Sequence, residues 1–227
     1  GILNGIDNNT WNPATDTALY RTYSPDDLSG KATNTAYVID DLQLREGPVC
    51  AVISRLAHQK GIDLVAAALP AIVEADANVV VIGDGDRGLE AQLSELRRRY
   101  PHRLATFFGF DDKRARRLYA AADFFLMPSR YEPCGLGQMI AQRYGTVPIV
   151  RATGGLVDTV RDGQTGFMFE EASPRALFGA VRRALTAYAS PSFETMRKQC
   201  LDLDWSWRIS AEQYEDVYRD AMGVSAG

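Results

Sequence analysis

Short apolar runs alternating with helical patterns constrain this chain more than any other feature. Val49 to Ile53, Val79 to Ile82, Leu104 to Phe108, Asp123 to Met127 and Val147 to Val150 are too short for helices and too apolar for surface loops. Each is followed by a loop rich in glycine or charge, then by apolar residues at helical spacing, as in Ile62, Val65, Leu69, Ile72 and Val73. Strands buried on both faces read as continuous apolar runs, and such strands join in parallel through right-handed crossovers. The pattern therefore predicts an α/β fold: a Rossmann-like, doubly wound parallel sheet of about five strands with helices on both faces. A further short strand is expected over Phe167 to Phe169. No repeat, low-complexity tract or long linker divides the sequence, so its 227 residues are expected to form one domain.

The flanking segments are less regular. Residues 1–30 are polar, with turn signals at Asn4-Gly5 and Trp11-Asn12-Pro13, and are expected to lie extended on a surface. A helix is expected from about Lys31 to Leu44, with Tyr37, Val38 and Leu42 on one face. Pro70 should kink the helix after the first strand or start a new turn. Ser173-Pro174 and Ser190-Pro191 each read as an N-cap with proline at the first helical position. A last helix begins near Ser206, with Trp207, Ala211, Tyr214, Tyr218 and Met222 as its apolar face and Gly223 at its end.

In a parallel sheet the loops leaving the strands lie on one edge, where ligands bind. That edge collects the candidate site residues. Arg55 and Lys60 follow the first strand and could neutralise a diphosphate, a guanidinium fork and an ammonium dividing the task; alone, either reads as a solvated loop residue. Gly83-Asp84-Gly85 after the second strand is a weak phosphate-loop signal and is not the dinucleotide fingerprint. Phe110 after the third strand could stack on a base or pack in the core. Glu132 sits in the loop after the fourth strand, ahead of Cys134, Gly135, Leu136 and Gly137 at a helix start. Alone, Glu132 could be a structural cap, and Cys134, with no histidine near it, suits packing better than nucleophilic attack. Thr153, Gly154 and Gly155 let the backbone close on an anion where the next helix begins. A carboxylate beside anion-binding loops points to a phosphorylated ligand whose other end is polar.

Composition removes several classes. A net charge of −4 argues against a nucleic-acid binder, and Arg97 to Arg99 and Arg114 to Arg117 read as solvated helix faces. Two histidines and three scattered cysteines offer no metal-ligand spacing, so no metal is expected. The cysteine usage fits a reducing cytosol. No membrane span or signal-peptide pattern is present, and no membrane partner is expected.

Several linked motifs resemble bacterial glycogen synthase and plant starch synthase. They are Ser54-Arg55-Leu56 with Gln59-Lys60-Gly61; Glu132-Pro133-Cys134-Gly135-Leu136 with Gln138; Arg143-Tyr144-Gly145-Thr146; and Thr153-Gly154-Gly155-Leu156 with Asp158-Thr159-Val160. Leu3 to Asp7 with Trp11-Asn12-Pro13, and Trp205-Ser206-Trp207, match as well, so the resemblance covers nearly the whole chain. It implies the carboxyl-terminal donor-nucleotide domain of a two-domain GT-B glycosyltransferase. Such enzymes transfer glucose from ADP-glucose to the non-reducing end of an α-1,4-glucan, with retention and without a metal or other cofactor. The implied location is cytoplasmic, or plastid in a plant.

By the resemblance, Arg55 and Lys60 hold the donor diphosphate, Glu132 lies by the glucosyl ring, and Phe110 lies against adenine. Gly135, Leu136 and Gly137 approach the ribose and phosphates, as Thr153, Gly154 and Gly155 approach the glucose and diphosphate. Gly83 and Cys134 complete the implied donor set. The amino-terminal domain, with its Lys-x-Gly-Gly-Leu motif, is absent from the sequence; the last helix, residues 205–223, would cross to it, and this half alone is expected to be inactive. The position eight residues beyond Glu132 is Ile140, where many retaining relatives have a second glutamate but glycogen and starch synthases do not. Gly137 stands where threonine is common. A UDP-glucose transferase and a non-catalytic nucleotide-sugar or glucan-binding module are the alternatives.

Overall fold

A computed structural model describes residues 1–223. The chain order begins with α1 (Ser29–Asp41), β1 (Val49–Ile53), a single 3-10 turn (His58–Lys60), α2 (Ile62–Glu74) and β2 (Asn78–Gly83). Next come α3 (Arg87–Arg99), β3 (Leu104–Phe108), α4 (Asp112–Ala121), β4 (Phe124–Met127) and α5 (Gly137–Arg143). The chain continues through β5 (Val147–Arg151), α6 (Gly155–Thr159), β6 (Phe167–Phe169), α7 (Pro174–Tyr188), α8 (Ser192–Leu201) and α9 (Trp207–Met222). All six strands pair in parallel in the order β3-β2-β1-β4-β5-β6. The expected Rossmann-like doubly wound sheet is thus present, with β6 as its sixth strand.

Successive side chains of a strand point to opposite faces, and both faces are filled. Cys50, Val52, Val79, Val81, Phe124, Leu126, Val147 and Ile149 join the core under α2, α3, α7 and α8. Val49, Ala51, Val80, Ile82, Phe125, Met127 and Val150 join the other, under α1, α4 and α5. This two-sided burial explains the uninterrupted apolar runs. Strand order reverses between β1 and β4. Loops leaving those two strands diverge to opposite sides, which opens a crevice at the carboxyl edge.

Three expectations need correction. Residues 1–30 turn repeatedly before entering α1 at Ser29, with Ile6, Leu19 and Tyr23 buried, and do not lie extended. Tyr23 Oη donates to Tyr144 O (2.8 Å), Tyr144 Oη donates to Asp16 Oδ2 (2.5 Å), and the buried Lys31 ammonium donates to Ala120 O, Tyr144 O and Thr146 Oγ1. Burial holds the Lys31 pKa well below its ordinary value. Apolar residues this widely spaced leave no periodic signal. In α1, Val38 is buried while its neighbour Tyr37 is exposed and stacks on Tyr20 with ring centroids 4.7 Å apart. Adjacent helical positions point about 100° apart, so the two cannot share a face. Pro70 lies inside α2, which continues through it as one element, with Leu69 and Ile72 buried on either side. Ser173 caps α7 as expected by accepting from Ala176 N (3.2 Å), whereas α8 starts after Pro191 without a side-chain cap.

Helix α9 ends at Gly223 in the left-handed region, φ +67°. Its Trp207, Tyr214, Tyr218 and Met222 are exposed, Met222 by 70%. Among the described residues no helix is long and apolar enough to cross a membrane.

Candidate functional site

Two loops and the opening turns meet at the crevice between β1 and β4. A cavity of about 360 Å³ there is lined by Arg55 and Lys60 from the loop after β1 and by Glu132, Cys134, Gly135, Leu136 and Gly137 from the loop after β4. Asn4, from the opening turns, also lines it. The sequence marked Asn4 only as a turn signal; buried Ile6 is what draws that segment onto the sheet.

Lys60 and Glu132 form the centre. Their side chains are 17% and 8% exposed, and Nζ lies 2.5 Å from Oε2. Ser129 Oγ donates to the same carboxylate oxygen at 3.1 Å. A pair this shielded is costly to break by removing one partner, on the order of 3–5 kcal/mol, because the remaining charge stays buried. Arg55 differs. It is exposed, and among the described residues no hydrogen bond or ion pair holds its guanidinium. One cation is thus pre-positioned against an acid, and a second beside it lacks a fixed partner. An entering diphosphate can take both, provided that it competes with Glu132 for the ammonium.

The glycines build the walls. Gly135 has φ +76°, a left-handed conformation that side chains with Cβ seldom adopt. A Cβ at Gly154 would lie 2.0 Å from Glu132 O, and one at Gly155 would lie 2.6 Å from Cys134 Cα. Gly155 N donates to Glu132 O at 3.1 Å. The Thr153–Gly155 backbone therefore closes on the Glu132 loop, so the sequence signal for close backbone approach is explained by a protein neighbour. Gly83 has a similar reason: its Cβ would meet Ser54 O at 1.8 Å. Neither Gly83 nor Thr153, Gly154 or Gly155 lines the cavity. At Gly137 a Cβ would meet the buried Phe125 ring at 2.9 Å, so the missing side chain fits the ring behind it.

Phe110 lies outside the cavity and is 88% exposed. Core packing is thereby excluded for this ring, and its faces are open. Cys134 is half-buried, with Sγ 3.4 Å from Gly135 O.

A doubly wound parallel sheet with paired charges at the carboxyl ends of β1 and β4 defines an α/β protein with a charged crevice at its switch point. The particular family follows from comparison. The family described as "Glycosyl transferases group 1" matches residues 47–187, and the chain belongs to it. It is 49% identical over 227 residues to a glycogen synthase of Myxococcus xanthus, covering 98% of this chain and 48% of that protein. It is 47% identical over 221 residues to a glycogen synthase of Xanthomonas campestris, covering 96% of this chain and 46% of that protein. Among solved structures, the catalytic domain of starch synthase IV from Arabidopsis thaliana, bound to ADP and acarbose, superposes with a TM-score of 0.92 at 34% identity. That match covers 98% of this chain and 49% of the other. The chain spans about half the length of the curated relatives it matches.

Proposed function

We propose that this chain is the donor-binding half of an ADP-glucose:α-1,4-glucan glucosyltransferase. The observation that carries it is the meeting of Arg55, Lys60 and Glu132 on one cavity at the sheet's switch point. The identity to glycogen synthases and the ADP named in the starch synthase structure support it.

In this reading the glucosyl C1–O bond to the diphosphate breaks and a bond from C1 to the acceptor's 4-hydroxyl forms, with retention. The departing diphosphate oxygen takes the electron pair and the proton released from the 4-hydroxyl, and Arg55 and Lys60 stabilise its remaining charge. Such fixed groups are commonly worth about 3–4 kcal/mol each. Glu132 faces the positive charge that develops on the sugar. Phe110 stacks on adenine, and Gly135, Leu136 and Gly137 approach the ribose and phosphates. The glucan enters from the missing amino-terminal half, which closes over the site and excludes water. The exposed aromatic face of α9 suits that half as a neighbour. The protein so assembled works in the cytoplasm, or in a plastid in a plant.

Calorimetric titration of the folded chain with ADP and with UDP tests the donor assignment. ADP is expected to bind at submillimolar concentration and more tightly than UDP. Preference for UDP moves the reading to another nucleotide-sugar transferase, and binding of neither contradicts a preformed donor site.

A further inference from the structure

The cavity works only if Lys60 and Glu132 keep one spacing, and much of what fixes that spacing lies outside it. Arg130, two residues before Glu132, reaches across to α2. Its two terminal nitrogens donate to Asp63 Oδ1 and Oδ2, each at 2.7 Å, and one donates also to His58 O at 2.7 Å. Its backbone N–H donates to Gln59 O (2.8 Å), while Gln59 Nε2 donates to Tyr131 O (3.0 Å). A Cβ on Gly61 would lie 2.2 Å from Pro128 O, so the two loops also touch directly. From the other side Arg151 Nε donates to Ser129 O at 2.9 Å and Nη2 to Arg130 O at 2.5 Å.

We propose that Arg130, through its two-pronged pair with Asp63, is a positioning residue that sets the Lys60 ammonium against the Glu132 carboxylate and the donor diphosphate. The inference rests on the donor-site reading above. Its geometry is specific. Asp63 lies three residues after Lys60, in the first turn of α2, so Arg130 grips a rigid helix end. A guanidinium gripping both carboxylate oxygens fixes distance and rotation together, which a point-charged lysine cannot do. The Arg130 and Asp63 side chains are 26% and 31% exposed, and a pair so open to water contributes little to stability. Its effect is on placement, and misplacement of about 1 Å is enough to lose a large factor in a preorganised site.

The test is a double-mutant cycle on ADP affinity in the 227-residue chain, with Arg130→Lys, Lys60→Ala and both together. Lys60→Ala should weaken ADP about tenfold or more. Arg130→Lys should weaken it about threefold to tenfold, with thermal stability almost unchanged. The double variant should bind no more weakly than Lys60→Ala, because the group that Arg130 places is already gone. Asp63→Asn, which keeps the shape and removes the charge, should reproduce Arg130→Lys. Wild-type affinity in Arg130→Lys, or losses that multiply in the double variant, would overturn the inference and leave the donor-site reading standing. No ADP binding by the wild-type chain would overturn both.

Discussion

The carboxyl edge of the sheet has two unlike halves. Between β1, β4 and β5 the loops are tied to one another by Lys60–Glu132, Arg130–Asp63, Gln59–Tyr131, Arg151–Ser129 and Gly155–Glu132 contacts. At the end of β3 and beyond it the chain is open: Phe108, the last strand residue, is 42% exposed, Phe110 is 88% exposed, and a Cβ on Gly109 would meet nothing within 4 Å. The first half suits groups whose charge must be met at a fixed place, a diphosphate and a reacting sugar. The second suits a base, whose flat face accepts an aromatic ring in more than one pose. The more closely tied half is thus the one where, in the proposed reaction, charge changes.

The largest effect expected from that contrast is on rate. Glu132→Ala, in a two-domain protein carrying this chain, should lower glucosyl transfer by about 10²–10³-fold. ADP affinity should be no weaker, since Lys60 loses the acid that competes for it. A large loss of ADP affinity would show that Glu132 holds the nucleotide instead.

A pair of glycine substitutions measures the two halves directly. Gly154→Ala forces a Cβ to within 2.0 Å of Glu132 O at a residue with φ +50°, and should cost about 3 kcal/mol or more of unfolding free energy. Gly109→Ala meets only its own backbone strain, at φ +117°, and should cost about 1–2 kcal/mol. Equal losses in denaturant unfolding would remove the distinction.

Phe110→Ala should change stability by about 0.5 kcal/mol or less, as for an exposed side chain, and weaken ADP by about 1–2 kcal/mol through lost stacking. Unchanged ADP affinity would take Phe110 out of the site.

The smallest effect concerns pH. The hydrogen bonds from Arg130 hold the Asp63 carboxyl below the usual carboxylate range. A depressed folded pKa contributes stability above the unfolded value of about 3.9, and that contribution is lost as pH falls through the folded pKa. Asp63→Asn should therefore flatten stability against pH below about pH 4 and, for a half-exposed pair, by well under about 1 kcal/mol. An unchanged slope below pH 4 would show that the pair is not formed in solution.

Much of this was legible in the chain, for identifiable reasons. β1, β3 and β6 have the bounds their apolar runs gave, because strands buried on both faces leave uninterrupted runs. Arg55, Lys60 and Glu132 were legible as a group because each follows such a run, and parallel strands put those loops on one edge. The Arg130–Asp63 fork was not: its members lie 67 positions apart, and each alone reads as a solvated charge. Gly83, Gly154 and Gly155 signalled close approach, but sequence does not say to what, and the neighbour is protein backbone in each case. The packing of residues 1–30 was hidden because buried apolar side chains as far apart as Ile6, Leu19 and Tyr23 make no period.

One measurement bears on the account most directly: a crystal structure of this chain with ADP bound. The account predicts the diphosphate within hydrogen-bond reach of Arg55 and Lys60, with the Lys60 ammonium drawn off Glu132 and adenine against Phe110. A diphosphate seated away from the β1–β4 crevice, with the Lys60–Glu132 pair undisturbed, would contradict it.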